Sequence, residues 1–285
     1  AAISVNGEVL FNEKILLDVT TNNKGLRQSE AIFKHINNLG IISDKIKEKL
    51  KSKNIKAICV SKTPRPIENS YMPVFNVGYN FSKLLSSTNN CNLYTTTHQE
   101  NHIKAGLFTN KLKNEDRFLA FHMSGGTTEI LLVERVNNTE KYIIKIVGGT
   151  KDISFGQLID RIGVKLSYDF PCGKNIDLGA LKSAKRIEKG LKTSVKDGYM
   201  NLSGLENQVL KIIDLYDKDY ISKLILDAII RNIEKSLSYV CNKYNIKEVV
   251  FVGGVASSSY IKNNLQKRMK SNIDLYFTNP EYSTS

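Results

Sequence analysis

Hydrophobic and polar residues alternate at the beginning of the chain. Apolar side chains recur at roughly every second position in Ala2–Val5 and Val9–Leu17, which is the period of a strand with one buried face. The two segments are separated by Asn6-Gly7, a dipeptide that favours a two-residue hairpin turn. The pattern therefore predicts that the chain opens as a β-hairpin within a sheet.

The period then changes from strand to helix and back. Apolar residues at helical spacing predict helices over Ser29–Lys53 and Tyr71–Leu85, and short apolar runs predict strands at Ile55–Val60 and Leu93–Thr95. An order of strand, helix, strand and helix is typical of a parallel sheet with helices on its faces.

A polar and charged segment, Thr109–Asp116, separates this region from a second series of elements. We therefore predict an α/β fold of two lobes, residues 1–112 and 113–285, with a helical insertion in the second lobe at about residues 152–245. The predicted elements after the boundary are strands Arg117–His122, Glu129–Arg135 and Tyr142–Val147, helices Phe155–Leu166, Ile176–Leu191 and Asp219–Tyr244, strand Val249–Val252 and helix Ser257–Met269.

Composition adds a strong positive charge. The 41 Lys and Arg residues exceed the 28 Asp and Glu residues, giving +13. Such a field attracts a polyanion such as tRNA, but lysines spread over solvated helix faces give the same total. No compact cluster of arginines with interleaved aromatic residues decides between the two interpretations.

The expected compartment is the cytoplasm. No apolar run approaches the ~20 residues of a membrane-spanning helix, so we expect no membrane partner. The four cysteines lie far apart in the sequence, without a Cys-x-x-Cys pair, and this spacing is typical of reduced thiols in a cytoplasmic protein.

A glycine-rich turn follows the first strand of the second lobe. In Ser124-Gly125-Gly126-Thr127-Thr128, two adjacent glycines would let the backbone approach a ligand, and successive N–H groups with hydroxyls would form an anion cradle. No Gly-Lys-Ser/Thr follows, so it is not a Walker A loop. The segment is a candidate phosphate-binding turn, with an ordinary turn as the alternative.

A second glycine pair, Gly253-Gly254, connects a strand to a helix. Ligands of open α/β sheets bind at the carboxyl ends of strands and at helix N-termini, so a base or ribose could lie there. Tight strand–helix packing is the alternative. Two such turns after apolar strands favour one nucleotide held between them.

His98 and His102 are four residues apart at the start of a predicted helix. This spacing places both imidazoles on one helical face, where they could share a divalent ion. Imidazole ligands suit Fe or Zn better than Mg or Ca. Two ligands are one short of a usual catalytic site, so solvated helix histidines remain the alternative.

Asp160 offers a carboxylate near a tight turn that contains Gly173. The carboxylate could accept hydrogen bonds from ribose hydroxyls. A pairing with Arg161, or a cap on a neighbouring backbone group, would also account for it.

Together these motifs form a specific order. His-x-x-x-His, Ser-Gly-Gly-x-Thr, Ile-Asp-Arg, Pro-x-Gly and Val-Gly-Gly-Val-Ala-x-Ser resemble the tRNA threonylcarbamoyladenosine synthases, formerly called glycoproteases. The resemblance implies the two-lobed fold of actin, hexokinase and the heat-shock ATPases. It also implies transfer of a threonylcarbamoyl group from its adenylate to the tRNA adenosine beside the anticodon, with other tRNA-modification proteins as further partners.

The resemblance implies a role for each motif. His98 and His102 correspond to metal ligands, while Ser124 through Thr128, Asp160, Gly173, Gly253 and Gly254 correspond to positions that contact the adenine nucleotide or adenylate. Ser258 is a further candidate nucleotide-binding residue, and it stands where the family usually has Asn.

Departures from the family pattern limit the functional prediction. The first strand with its Thr-Ser phosphate turn and a metal-binding Asp just beyond Ser285 are not in the sequence, which is either trimmed at both ends or lacks these pieces altogether. The segment Ser61–Pro73 and the run Thr97-His98-Gln99-Glu100 further indicate a paralogous branch of the family. A non-catalytic nucleotide-binding paralog that scaffolds other proteins is therefore a second hypothesis. A metallopeptidase, the historical interpretation, is disfavoured because no His-Glu-x-x-His is present.

Overall fold

A computed structural model describes residues 2–15, 17, 27–50, 54–108, 110–136, 139, 141–269, 273–279 and 281–282. The chain forms two compact units, Ala1–Asn101 and His102–Ser285, whereas the sequence placed the boundary between residues 112 and 113. Within the described ranges, no helix is long and apolar enough to cross a membrane.

The first unit opens with the predicted hairpin. Asn6 and Gly7 both have positive φ, 52° and 85°, as a type I′ turn requires, so this prediction is confirmed. The parallel pairing expected from the strand–helix order is also confirmed, between β3 and β4. The elements are β1 (Ala2–Val5), β2 (Glu8–Asn12), α1 (Gln28–Leu50), β3 (Ala57–Thr63), α2 (Phe75–Thr88), β4 (Asn92–Thr97) and the start of α3 (His98–Phe108).

Two predicted ends in this unit need comment. The strand predicted to reach Leu17 ends at Asn12, and residues 13–15 are not part of a strand. The predicted helix end at Lys53 lies outside the described residues.

The second unit contains the rest of α3 and a mixed sheet with helices on both faces. Its elements are β5 (Arg117–Met123), β6 (Thr128–Arg135), β7 (Tyr142–Thr150), α4 (Phe155–Lys165), α5 (Gly173–Lys182), β8 (Val195–Lys196), β9 (Tyr199–Met200), α6 (Ser203–Leu210), α7 (Lys218–Tyr244), β10 (Glu248–Val252), α8 (Ser259–Met269) and β11 (Asp274–Phe277). Over the described residues, the strand order of this sheet is β11-β10-β5-β6-β7-β9-β8.

The central strand β5 is buried on both faces because its side chains alternate. Phe118 and Ala120 pack with Ile103 and Leu107 of α3, whereas Phe121 lies in the larger core formed with α4 to α8. A continuous apolar run is the expected composition of a strand covered on both sides. β5 pairs antiparallel with β6 and parallel with β10.

The predicted helix Ile176–Leu191 is wrong in its second half, because α5 ends at Lys182. Leu191 is still buried, at 7% exposure, which explains why its position matched the helical period. The backbone between them is held differently: the Lys223 ammonium donates to the carbonyl oxygens of Ser183 and Lys185 at 2.9 and 2.7 Å. Long-range side-chain contacts of this kind are invisible to a local periodicity argument.

Candidate functional site

The glycine-rich turn connects β5 to β6. Ser124 N–H donates to the Thr127 carbonyl at 2.8 Å, and Thr127 N–H donates to the Ser124 hydroxyl at 3.1 Å. Gly125 and Gly126 are exposed at the tip, and a Cβ atom added to either would contact nothing within 4 Å. In the part of the chain that the structure describes, their N–H groups have no hydrogen-bond acceptor. The tip is therefore open to an anion.

Helix α4 packs directly onto this turn. Ser154, the N-cap of α4, donates its hydroxyl to the Gly125 carbonyl at 2.6 Å, and Phe155 N–H donates to the buried Thr128 hydroxyl at 2.9 Å. A Cβ atom on Gly156 would lie 2.4 Å from the Gly125 Cα. The Thr128 hydroxyl thus supports the turn, and the turn is fixed by α4.

The second glycine pair, Gly253-Gly254, lies beside the end of β5, where the glycine-rich turn begins. Gly253 has a φ of +94°, and a Cβ there would lie 2.4 Å from the Met123 carbonyl oxygen, one residue before Ser124. Gly254 then begins a 3-10 helix, Gly254–Ser257. Since β10 runs parallel to β5, with Val252 opposite His122, both glycine turns lie at the carboxyl ends of neighbouring parallel strands. Ligands of open α/β sheets bind at this edge.

Asp160 lies in α4 and binds the turn before α5. Its Oδ1 accepts the Cys172 N–H at 2.8 Å, so it caps a neighbouring backbone group, while Arg161 pairs with Glu206 at 3.0 Å. Partial burial raises the pKa of Asp160, and the Cys172 hydrogen bond opposes this. Gly173 follows as the exposed first residue of α5, with open space at its Cβ position.

Ser258 is engaged by a residue that the sequence analysis did not identify. Its hydroxyl donates to the Asp177 carboxylate and accepts the Ile261 N–H at 3.2 Å. Asp177 also accepts the N–H groups of Ser259 and Tyr260 at 3.1 and 3.0 Å, so a carboxylate from α5 caps α8. No local signal identifies Asp177, because its partners lie about eighty residues later in the chain.

The residues of the second unit therefore form a closed ring of contacts. The glycine-rich turn holds α4, Asp160 of α4 holds the turn before Gly173, and Asp177 of α5 holds Ser258. The Gly253 backbone then returns to the end of β5. The structure thus brings together the predicted positions 124–128, 160, 173, 253, 254 and 258 on one connected framework.

His98 and His102 both lie on α3, as predicted, at the first and fifth residues of the helix. Glu100 is used in capping: it accepts the Thr97 N–H at 2.8 Å, and the Thr97 hydroxyl accepts the Glu100 N–H at 3.2 Å. Burial lowers the pKa of His98, which favours the neutral imidazole that binds metals.

His102 has a neighbour that sequence reasoning missed. Its ring centroid is 4.8 Å from that of His122, on β5, and the two side chains are only 6% and 4% exposed. Among the described residues, however, no group of three His, Cys, Asp or Glu side chains is arranged to hold a metal ion. The pair of imidazole ligands on α3 thus stays a prediction.

The solved structures most informative for the fold are two of HypF. Full-length HypF in the phosphate- and nucleotide-bound form matches 86% of this chain and 46% of its own, with a TM-score of 0.60 and 12% identity. The Thermococcus kodakarensis HypF structure gives a TM-score of 0.57 and 14% identity over 81% of this chain and 38% of its own. These similarities confirm the predicted α/β fold of the actin-like ATPase class.

The sequence comparisons give the family. The family model for TsaD, tRNA N6-adenosine threonylcarbamoyltransferase, matches residues 9–285, and the chain belongs to this family. Relatives with that name include those of Sulfurihydrogenibium sp. (strain YO3AOP1), 32% identical over 69% of this chain and 59% of its own length, and Mycoplasma mobile, 27% identical over 99% and 89%. The resemblance inferred from the motif order is confirmed, and the first of these relatives is matched over less than two thirds of its length.

Proposed function

We propose that this protein transfers a threonylcarbamoyl group from its adenylate to the tRNA adenosine beside the anticodon. The family and the names of the relatives support this class of reaction. The observation that carries the proposal is the meeting of the two glycine turns at the ends of β5 and β10.

The chain's own groups would bind and orient the donor. The open backbone of Gly125 and Gly126 is suited to the phosphate, because uncompensated N–H groups stabilise an anion. The open space at the exposed Gly173 leaves room for the nucleoside, and the Gly253–Gly254 backbone would lie beside the ligand. The Asp160 carboxylate, fixed by the Cys172 N–H, would accept ribose hydroxyls with its remaining lone pairs.

Fixed donors contribute to catalysis when they stabilise charge that develops in the transition state. As the adenosine amine attacks the carbamoyl carbon and AMP leaves, negative charge grows on the phosphate. The glycine-rich turn is fixed by Ser154 and Phe155 before any ligand binds, so its N–H groups need no reorganisation at that step.

A divalent metal, Fe or Zn, would be held by His98 and His102 with ligands from outside the described residues. When bound, such an ion would polarise an oxygen of the donor as a Lewis acid. The neutral form favoured at His98 agrees with this role.

Nucleotide binding can be tested with Gly126→Val. The added side chain would project into space that the protein leaves open, so the fold should persist while the ligand is excluded. Calorimetry with AMP and ATP should show binding to the wild type and a loss of at least tenfold in the variant. The matched control is Gly204→Val, at an exposed glycine that also has open space around it. Equal affinity in the two variants would contradict the proposed site.

The second candidate is a nucleotide-binding scaffold without transfer activity. The observation that favours it is the engagement of Ser258 by Asp177, at a position where an Asn is usual in the family. Incubation with the threonylcarbamoyl adenylate and tRNA, followed by nucleoside analysis, separates the two. Modified adenosine supports the transferase, whereas nucleotide binding without modification supports the scaffold.

A further inference from the structure

One segment of the second unit concentrates the positive charge of the chain. Residues 182–196, here called the basic strap, contain six basic residues against Glu188 alone, so fifteen residues carry +5 of the chain's +13. The basic residues are Lys182, Lys185, Arg186, Lys189, Lys192 and Lys196, and all six are exposed.

Little of this charge is neutralised by the protein. Lys185 forms an ion pair with Asp217. Within the described residues, the other five basic side chains of the strap have no carboxylate at ion-pair distance. Two further ammonium groups are directed onto the strap from α7: Lys223, through its carbonyl contacts, and Lys235, which donates to the Thr193 hydroxyl at 2.7 Å. The segment is thus more positive than its own sequence indicates.

The strap has a fixed conformation although most of it belongs to neither helix nor strand. The buried Leu191 anchors its middle in the core. Lys192 N–H donates to Gln208 at 2.8 Å, and the Gln208 amide returns a hydrogen bond to the Lys192 carbonyl at 3.0 Å. At Gly190 a Cβ would lie 2.6 Å from the Arg231 guanidinium. Because the backbone is already ordered, the charges can bind a polyanion without the cost of ordering the backbone.

The location relates the strap to the proposed active site. Helix α5 begins at Gly173, in the ring of contacts, and ends at Lys182, where the strap begins. Ten helical residues span about 15 Å. An RNA stem-loop whose phosphodiester backbone lies on the strap is therefore close enough for one of its own nucleosides to reach the glycine turns.

We propose that the basic strap is the surface that binds the phosphate backbone of a structured RNA. The proposal rests on the proposed function for the kind of RNA, the anticodon stem-loop of tRNA. The strap provides exposed basic side chains on a backbone held by hydrogen bonds, and contacts of such side chains with phosphates position an RNA without reading its sequence. We therefore expect similar affinity for stem-loops of different sequence.

The test measures binding of a fluorescent anticodon stem-loop at several salt concentrations. The strap variant is Arg186→Gln/Lys189→Gln/Lys192→Gln. The slope of log K against log salt is negative, and each lost phosphate contact reduces its magnitude by about 1. We therefore expect a slope that is shallower by about 3 and an affinity at least tenfold weaker at low salt.

The matched control removes the same charge from elsewhere in the second unit. Lys113→Gln/Lys247→Gln/Lys267→Gln replaces three exposed lysines outside the strap and should keep the wild-type slope. Equal losses in both variants, or wild-type binding to vesicles of anionic lipid but not to RNA, would overturn the proposal. Circular dichroism of both variants checks that the fold is retained.

The outcomes also separate this proposal from the proposed function. Strap-dependent RNA binding without any adenosine modification would leave the strap assignment in place and contradict the transferase. If the strap variant modified adenosine as well as the wild type did and kept the wild-type salt slope, the transferase would be supported and the strap assignment contradicted.

Discussion

Replacing Gly156 with Ala should destabilise the protein, although the same change usually stabilises a helix. Gly156 is the second residue of α4, and Ala is favoured over Gly in helices by up to ~1 kcal/mol. Here the added Cβ would lie 2.4 Å from the Gly125 Cα and 2.6 Å from the Ser124 carbonyl oxygen. These neighbours are backbone atoms, which cannot move aside by changing a rotamer.

The magnitudes decide the sign of the effect. Overpacking a fixed interior costs about 1–3 kcal/mol, and the contact with backbone places this case at the upper end. After the gain in helix propensity is subtracted, we expect a net loss of about 2 kcal/mol. Since relief of the clash must displace the glycine-rich turn, the proposed function predicts that nucleotide affinity falls at least tenfold.

Gly204→Ala is the matched control. Gly204 is likewise the second residue of its helix, α6, but it is exposed and its Cβ position is open. Urea unfolding followed by far-ultraviolet circular dichroism should show Gly204→Ala as stable as the wild type or more so, and Gly156→Ala less stable. If the two variants were equally stable, the close packing of α4 on the turn would be refuted.

Three further predictions concern polar and thiol groups of the second unit. Although partial burial opposes it, hydrogen bonds from backbone N–H groups lower the pKa of Asp152 to about 2. The Asp152 carboxylate should therefore contribute about 1 kcal/mol to the free energy of unfolding after allowance for solvent screening. This contribution should be present above about pH 4 and lost toward about pH 2, and Asp152→Asn should flatten this part of the plot of stability against pH. Burial raises the pKa of Cys172 to about 11 and that of Cys241 to about 12, so iodoacetamide at pH 8 should label neither until urea unfolds the protein, and rapid labelling of either would contradict the packing. Asp177→Ala should lower the free energy of unfolding by about 1–3 kcal/mol, more than the ~1 kcal/mol lost in Ser258→Ala, because three donors lose their acceptor. An equal loss for the two variants in urea unfolding would show that Asp177 is not the cap of α8.

The sequence was most informative where one short segment determines both conformation and chemistry. Asn6-Gly7 specifies a hairpin turn because the turn needs two positive φ angles. Likewise, the glycine pairs and the α3 histidines could be placed on a turn, on a strand end and on a helix from local pattern alone.

Features built from distant residues could not be predicted in this way. Asp177 matches an ordinary polar helix position until α8 is placed beside it. His122 belongs to a buried strand, and its proximity to His102 depends on the packing of α3 against β5. The backbone after the end of α5 is held by Lys223, from another helix. In each case the deciding partner lies outside any window over which periodicity is measured.

The engagement of Ser258 changes what the second glycine turn can contribute to recognition. The Ser258 hydroxyl donates a hydrogen bond to Asp177 and accepts one from the Ile261 N–H, so it is used in capping α8. A side chain already committed in this way has little capacity left to select a base by hydrogen bonding. Selection on this side then falls to the Gly253–Gly254 backbone, held in place by the positive φ of Gly253 and its contact with the Met123 carbonyl. In the nucleotide site proposed above, this side should therefore distinguish ligands by shape and phosphate position more than by the identity of the base, because backbone groups are the same in every sequence.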